Sequence, residues 1–387
     1  MNRRAFLRLA ATTAGAAAGT SPWSLALADV ARGGPGPHGE LLAPNDDGLR
    51  LPKGFRSRVV ARAGAPVGNS KYVWPVYPDG GATFRTPDGW IYVANSEWVP
   101  PNGGGASAIR FDRSGNVVDA YSICRGTLLN CAGGATPWET WLSCEEYAYG
   151  HVWECDPLGR RPAVKRPALG TFQHEAAAVD PARKVVYLTE DVPDGRFYRF
   201  TPKKWPSLEA GALEAMQVRD DATVAWHPVR WPNPGIAHEA TRHQVARSTV
   251  FRGGEGVALG RDHVFFSTKG DDRIWRYDPA AGRCTVLYEN SQDPAKRLSG
   301  VDNVLGSAWG DVVVAEDGGN MELVLITAEG VASPLLRVVG QDDSEIAGPA
   351  FDPSGTRLYF SSQRGDGAGI TYEVSGPFRR GGPGARA

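Results

Sequence analysis

A short unit recurs six times along this chain, and that recurrence restricts the fold more than any other feature. In four copies a metal-ligating residue opens a run of small and apolar residues, and in the first and last a glycine does. About a dozen residues on, a β-like run closes on polar or acidic side chains. The copies open at Gly81, Cys131, Glu175, Glu255, Asp302 and Gly348, and their second runs are Trp90–Glu97, Thr140–Glu146, Val185–Asp191, His263–Thr268, Asp311–Asp317 and Arg357–Ser362. Turn residues such as Asp88-Gly89 and Pro353-Ser354-Gly355 join the two runs. Pairs of β runs repeating at roughly 40–50 residues are the signature of a β-propeller blade. The expected fold is therefore all-β, a six-bladed β-propeller spanning 52–378.

Equivalent positions of successive blades face one central channel. In register, the opening position holds Cys131, Glu175, Glu255 and Asp302, and the closing position holds Asn95 or Glu97, Glu145, Glu190 and Glu316. The repeat thus gathers one thiol and many carboxylates in one place. Converging carboxylates repel one another and resist ionisation unless cations neutralise them. Several metal ions are the economical reading, with a single structural calcium as the bland one. A thiolate suits iron or zinc, whereas calcium prefers oxygen donors.

Five cysteines (Cys124, Cys131, Cys144, Cys155 and Cys284) leave one unpaired even if two disulfides form. Cys131 is the choice for the channel thiolate, with Cys144 as its rival and a Cys131–Cys144 or Cys124–Cys131 disulfide as the other reading. His174 is either a ligand or a hydrogen-bonding neighbour of one; His238 and His243 read as surface residues. Arg252, three residues before Glu255, and Lys269, which closes the fourth copy where others carry acids, are the candidate cations for gripping a phosphoryl group. Either could instead be a counter-ion for the neighbouring acids.

The rest of the chain frames this core. Arg3-Arg4 before an Ala-rich apolar stretch and Ala26-Leu27-Ala28 reads as a removable twin-arginine export signal over 1–28, placing the mature protein in the periplasm or outside the cell. That stretch is too short to span a bilayer, and no later one is apolar enough. Residues 29–51 read as a Gly/Pro-rich linker and 379–387 as a disordered tail. The long interval 201–249 reads as an inter-blade insertion, with a short helix at Glu209–Met216, that covers one channel mouth or decorates the surface. A formal net charge of −1 and the lack of a basic stripe argue against nucleic acid as a partner. A monomer is expected.

Three motifs resemble the PhoX-type alkaline phosphatases: Asn130 to Glu146 (NCAGGATPWETWLSCEE), His174-Glu175-Ala176-Ala177, and Val186 to Asp191 with Phe197 to Phe200. The twin-arginine start is similar too. This resemblance implies a six-bladed propeller whose channel holds iron and calcium and hydrolyses phosphate monoesters outside the cytoplasm. It implies a Cys ligand to iron, carried onto Cys131 before Cys144, and acidic ligands at Glu145, Glu175, Glu190, Glu255, Asp302 and Glu316. The family's Arg-Pro-Glu element stands here as Arg252-Gly253-Gly254-Glu255, and Trp138-Glu139 replaces its Trp-Gly. The expected function is an exported, metal-dependent phosphomonoesterase with Arg252, Lys269 and Glu255 as catalytic residues. A calcium-dependent lactonase or esterase propeller, and a non-catalytic binding propeller, are the competing classes.

Overall fold

In a computed structural model, which describes residues 30–379 except 102, 237, 308 and 309, the chain folds into six β-sheets. The expected export signal (1–28) and the expected tail beyond Arg379 lie outside the described residues. Each sheet is one blade, and each of the six sequence copies supplies its two inner strands. These are Pro78–Thr86 with Gly89–Ser96, Asn130–Ala135 with Trp141–Glu145, His174–Asp180 with Val185–Glu190, Gly254–Leu259 with Val264–Thr268, Val301–Gly306 with Val312–Glu316, and Ile346–Phe351 with Arg357–Ser362. Blades one to four are simple antiparallel meanders, and blades five and six add strands from residues before Pro78 to theirs. Only short 3-10 turns accompany the strands among the described residues, and no helix there is long and apolar enough to cross a membrane.

The inner strands are apolar nearly throughout, not alternating, because a blade between two neighbours is covered on both faces. Gly89–Ser96, for example, is buried at every position after its first. Aromatic side chains fill the wedges between blades: Phe197 of blade three stacks on Phe266 of blade four with ring centroids 4.2 Å apart. The hairpin turns are built from local chemistry. In blade six the Asp352 carboxylate accepts the Thr356 and Arg357 amides at 2.9 and 2.8 Å, and Gly355 supplies the positive φ of +69° that closes the turn.

The ring closes on itself. The outermost strand of blade six is Arg56–Arg62, antiparallel to Ile370–Ser375, so the two ends of the propeller sequence share one sheet. Residues 30–51, read as a linker, contribute two short strands to the outer edge of blade five: Arg32–Gly33 runs parallel to Val331–Val338, and Leu49–Arg50 runs antiparallel to it.

The interval 201–249 also carries regular structure. Ser207–Val218 and Val224–Pro228 are the fourth and fifth strands of blade three. The helix expected at Glu209–Met216 is thus a strand. The sequence there is rich in helix formers, but pairing with Phe197–Lys204 on one side and Val224–Pro228 on the other overrides propensity. The remaining loop, 229–249, lies against blade three's mouth, where Thr241 donates to the Thr171 carbonyl at 3.0 Å and Arg242 to Asp194 at 3.0 Å.

Candidate metal centre in the propeller channel

The site is built by a bulge that recurs at the start of the inner strand pair. In blades one to five the register breaks just after the first pair: Pro78/Gly81, Asn130/Gly133, His174/Ala177, Gly254/Val257 and Val301/Val304. The first residue inside each bulge is Asp79, Cys131, Glu175, Glu255 and Asp302. A bulge bends the strand and re-aims its side chain, and here five in succession aim donors at one axis. Blade six has Ala347 at the equivalent place. The close approach this requires explains Gly256: a Cβ there would lie 2.5 Å from the Val304 nitrogen and 2.8 Å from the Asn303 Cα.

A second set of side chains comes from the residue just after the second strand: Glu97, Glu146, Asp191, Lys269, Asp317 and Gln363. With Glu345, which precedes blade six's first strand, the two sets give overlapping groups whose ligand atoms lie within 4.8 Å of one another: Asp79, Glu97 and Cys131; Cys131, Glu146 and Glu175; Glu175, Glu255 and Asp302; and Asp302, Asp317 and Glu345. Every member except Asp317 is buried. Cys131 Sγ is 3.0 Å from Glu175 Oε1 and 3.5 Å from Asp79 Oδ2. Lys269 Nζ contacts Glu255 Oε1 at 2.8 Å, Asp317 Oδ2 at 3.2 Å and Asp302 Oδ2 at 3.5 Å. Gln363 Nε2 donates to Asp79 and, at 3.0 Å, to Glu97. Arg364 pairs with Glu345 at 2.7 Å.

Of the residues singled out in the sequence, Cys131, Glu175, Glu255, Asp302, Glu97 and Lys269 are brought together here. Four other expected metal ligands are not. Asn95 spans two blades, donating to the Cys131 and Ala132 carbonyls at 3.0 and 2.8 Å and accepting from Trp141 and Ser143. Glu145 accepts the Leu128 and His151 amides, both at 3.1 Å. Glu190 accepts the Tyr198 hydroxyl at 2.7 Å, and Glu316 accepts the Ser299 and Glu322 amides, both at 2.9 Å. In each acid pair the first carboxylate ties down mouth loops or the third strand of its own blade. The second, on the opposite side of an extended backbone, belongs to the channel.

Arg252 is exposed on the loop entering blade four, its carbonyl bonded to the Gly270 amide at 2.9 Å, next to Lys269. Cys144, the rival thiolate, is packed in an apolar cluster with Val152 and Leu188 between blades two and three. All five cysteines are buried and free. His174 is stacked on Phe172, its Nε2 3.1 Å from the Gly170 carbonyl, and burial holds it neutral with a pKa of about 3. His238 stacks on Trp231 at 4.3 Å and His243 pairs with Asp194 at 2.7 Å, both away from the axis groups.

Sequence reasoning missed Asp79, Glu146, Asp191, Asp317 and Glu345. For Glu146, Asp191 and Asp317 the signal was available: Lys269 and Glu97 mark the column one residue later than the one chosen. Asp79 was hidden because the first copy was opened two residues late, at Gly81.

Electrostatically the channel is strained. Burial and neighbouring acids push Asp79 up to about 8 and hold Glu175, Glu345 and the Cys131 thiol well above their ordinary ranges. Burial raises Asp302 to about 6 against the pull of Lys269. Burial would raise Asp317 as well, but Lys269 overrides it and holds the group at about 2. Glu175 Oε2 is buried with no hydrogen-bond partner among the described residues. An orphaned carboxylate oxygen, one thiol and convergent acids form a donor set that divalent or trivalent cations fit.

A family model described as alkaline phosphatase PhoX matches residues 103–148 and 147–366. No curated protein matches the sequence. Among solved structures the chain is similar to a gluconolactonase from Xanthomonas campestris, at 11% identity over 88% of this chain and 99% of that one, with a TM-score of 0.53. It is similar also to the PQQ domain of a pyranose dehydrogenase from Coprinopsis cinerea, at 13% identity over 86% of this chain and 98% of that one, with a TM-score of 0.51. Identities this low speak for a shared propeller fold alone.

Proposed function

The chain belongs to the alkaline phosphatase PhoX family, and on that premise we propose that it is an exported hydrolase of phosphate monoesters that works with cations held in its acid-lined channel. The observation that carries this reading is the buried, unpartnered Glu175 Oε2 at the centre of the overlapping donor groups. A carboxylate oxygen in that position is costly unless a cation meets it.

The donor sets differ in chemistry. Cys131 with Glu146 and Glu175, or with Asp79 and Glu97, offers a thiolate beside oxygens and suits iron. The two groups around Asp302, with Glu175 and Glu255 on one side and Asp317 and Glu345 on the other, are all oxygen and suit calcium. Bound there, such cations supply Lewis-acid polarisation of phosphoryl oxygens and lower the pKa of water.

The chain's own residues orient the ester. Lys269 is tethered by Glu255 and Asp317 and about one-third exposed (32%), so its ammonium can reach an anion entering from the mouth. Arg252, on the adjoining loop, has the planar fork that grips two phosphate oxygens at once. Glu255 serves both sides, as a donor to the cation groups and as the anchor of Lys269. The twin-arginine start supports export, and Arg3 and Arg4 lie outside the described residues.

The test is elemental analysis of purified protein with a phosphatase assay before and after chelation. Iron with calcium, and activity that chelation abolishes and metal restores, is the expected result. Calcium alone, with hydrolysis of a lactone and not of a phosphate ester, would replace this reading with the lactonase class.

A further inference from the structure

The channel mouth is divided into two unlike sectors. On one side stand exposed apolar side chains from the mouth loops of blades one and two: Trp98 (40% exposed), Leu128 (37%) and Tyr149 (56%), with Tyr77 against the Trp98 ring at 4.7 Å between centroids. These loops are knitted directly to the channel donors. Trp98 follows Glu97, whose amide donates to the Tyr77 carbonyl at 3.0 Å. The Leu129 amide donates to the Trp98 carbonyl at 3.0 Å, and the Glu146 amide to the Leu129 carbonyl at 2.9 Å. Tyr149 lies in the turn that follows Glu146, closed by Gly150 N–H on the Tyr147 carbonyl at 2.8 Å.

The other side is cationic. Lys269 of blade four pairs with Asp317 at 3.2 Å, and Arg364 of blade six pairs with Glu345, which is grouped with Asp317. Lys269 faces blade five, and Arg364 faces Glu345 at the entry to blade six. In a closed ring of six, blade four, which carries Lys269, lies across the axis from blade one, where Tyr77 and Trp98 stand.

An anion held by Lys269 has the apolar sector across the channel for its remaining substituent. We propose that the Tyr77–Trp98, Leu128 and Tyr149 sector is the subsite for the organic group of the ester, and that the preferred substrates are aryl phosphate monoesters over phosphates of small polar alcohols. Exposed aromatic rings clustered at a reaction site offer stacking surface for a flat apolar group and nothing comparable for a polyol. The inference rests on the phosphatase reading and specifies its substrate class.

The experiment measures kcat/KM for 1-naphthyl phosphate and glycerol 2-phosphate in the metal-replete protein and in Trp98→Ala, Tyr149→Ala and Trp98→Phe. The naphthyl-to-glycerol selectivity should fall about tenfold or more in Trp98→Ala, the order expected for losing an apolar contact to one substrate, mainly through KM. Trp98→Phe should regain most of it, which a merely structural role would not produce. Selectivity unchanged in both alanine variants would overturn the proposal. If the metal-replete wild type cleaves neither ester, the phosphatase reading fails on its own. Calorimetric titration with 1-naphthyl phosphate then decides the subsite: binding weakened in Trp98→Ala upholds it, and no binding by the wild type overturns it.

Discussion

Neighbouring acids in this chain do different work. Glu145 is hydrogen-bonded to two backbone amides, whereas Glu146 joins the Cys131 and Glu175 group. Measured by denaturant unfolding in chelator, Glu145→Ala should cost about 2 kcal/mol, since it strands amide donors. Glu146→Ala should leave metal-free stability within about 0.5 kcal/mol or raise it, while lowering the metal content found by elemental analysis. A reversed pattern would mean that the two columns have been exchanged. The residue types at the channel were legible in the sequence, because a thiol and carboxylates ending apolar runs have no inexpensive alternative. Which member of each pair faces the axis was marked only by Glu97 and Lys269, because both acids end the same apolar run and differ only in the side of an extended backbone they occupy. The same crowding sets a pH dependence for the metal-free protein. Asp79 titrates at about 8 and Asp302 at about 6 in the folded chain, both above the unfolded value of 3.8. Across that window the unfolded chain has released protons that the folded chain retains, so stability falls as pH rises. Asp317, held at about 2, and His174, held at about 3, run the other way, but their contributions are complete above about pH 4 and pH 6.5 respectively. The metal-free melting temperature should therefore decrease from about pH 6.5 to pH 8, and saturating calcium should flatten that slope by taking the place of the retained protons.

Elements matter here through how closely they approach the axis. Gly256 sits in the bulge of blade four, where the inner strands of blades four and five nearly touch. Both atoms a Cβ would strike most closely are backbone, so neither can rotate away. Gly256→Ala should destabilise the protein by about 1–3 kcal/mol, the usual range for overpacking. Because Glu255 and Asp302 flank the contact, metal retention should fall with it; normal metal content in the variant would show that the bulge has slack. Legibility at this scale depends on location. The inner strand pairs could be read because short apolar runs recur at every copy and Asp-Gly or Ser-Gly turns mark the first and the last. Ser207–Val218 could not, since Leu208 to Met216 carries strong helix formers and only its two partner strands make it extended.

For the whole molecule, what counts is that the ring is closed by a strand from the far end of the chain. Nothing local in Arg56–Arg62 announces that it completes blade six, because its partner strand is remote: Arg58 donates to Glu373 at 2.6 Å across 315 residues of sequence. The channel takes donors from blades one to five and from Glu345 at the entry to blade six, so opening the ring at any seam separates ligands that must converge. Closure and cation binding should therefore behave as one cooperative unit. A chain starting at Pro52 loses the two short strands added to blade five and the buried Ala31, Leu49 and Leu51 but no channel donor, and it should keep its metal and a single unfolding transition at a lowered temperature. A chain starting at Ala63 also loses Arg56–Arg62, leaving the Ile370–Ser375 edge unpaired and the Glu373 carboxylate without Arg58. That chain should bind little metal, elute as an expanded or associated species, and melt without a sharp transition. If it instead retains full metal and a sharp transition, blade six is complete with three strands, and the cations alone hold the ring shut.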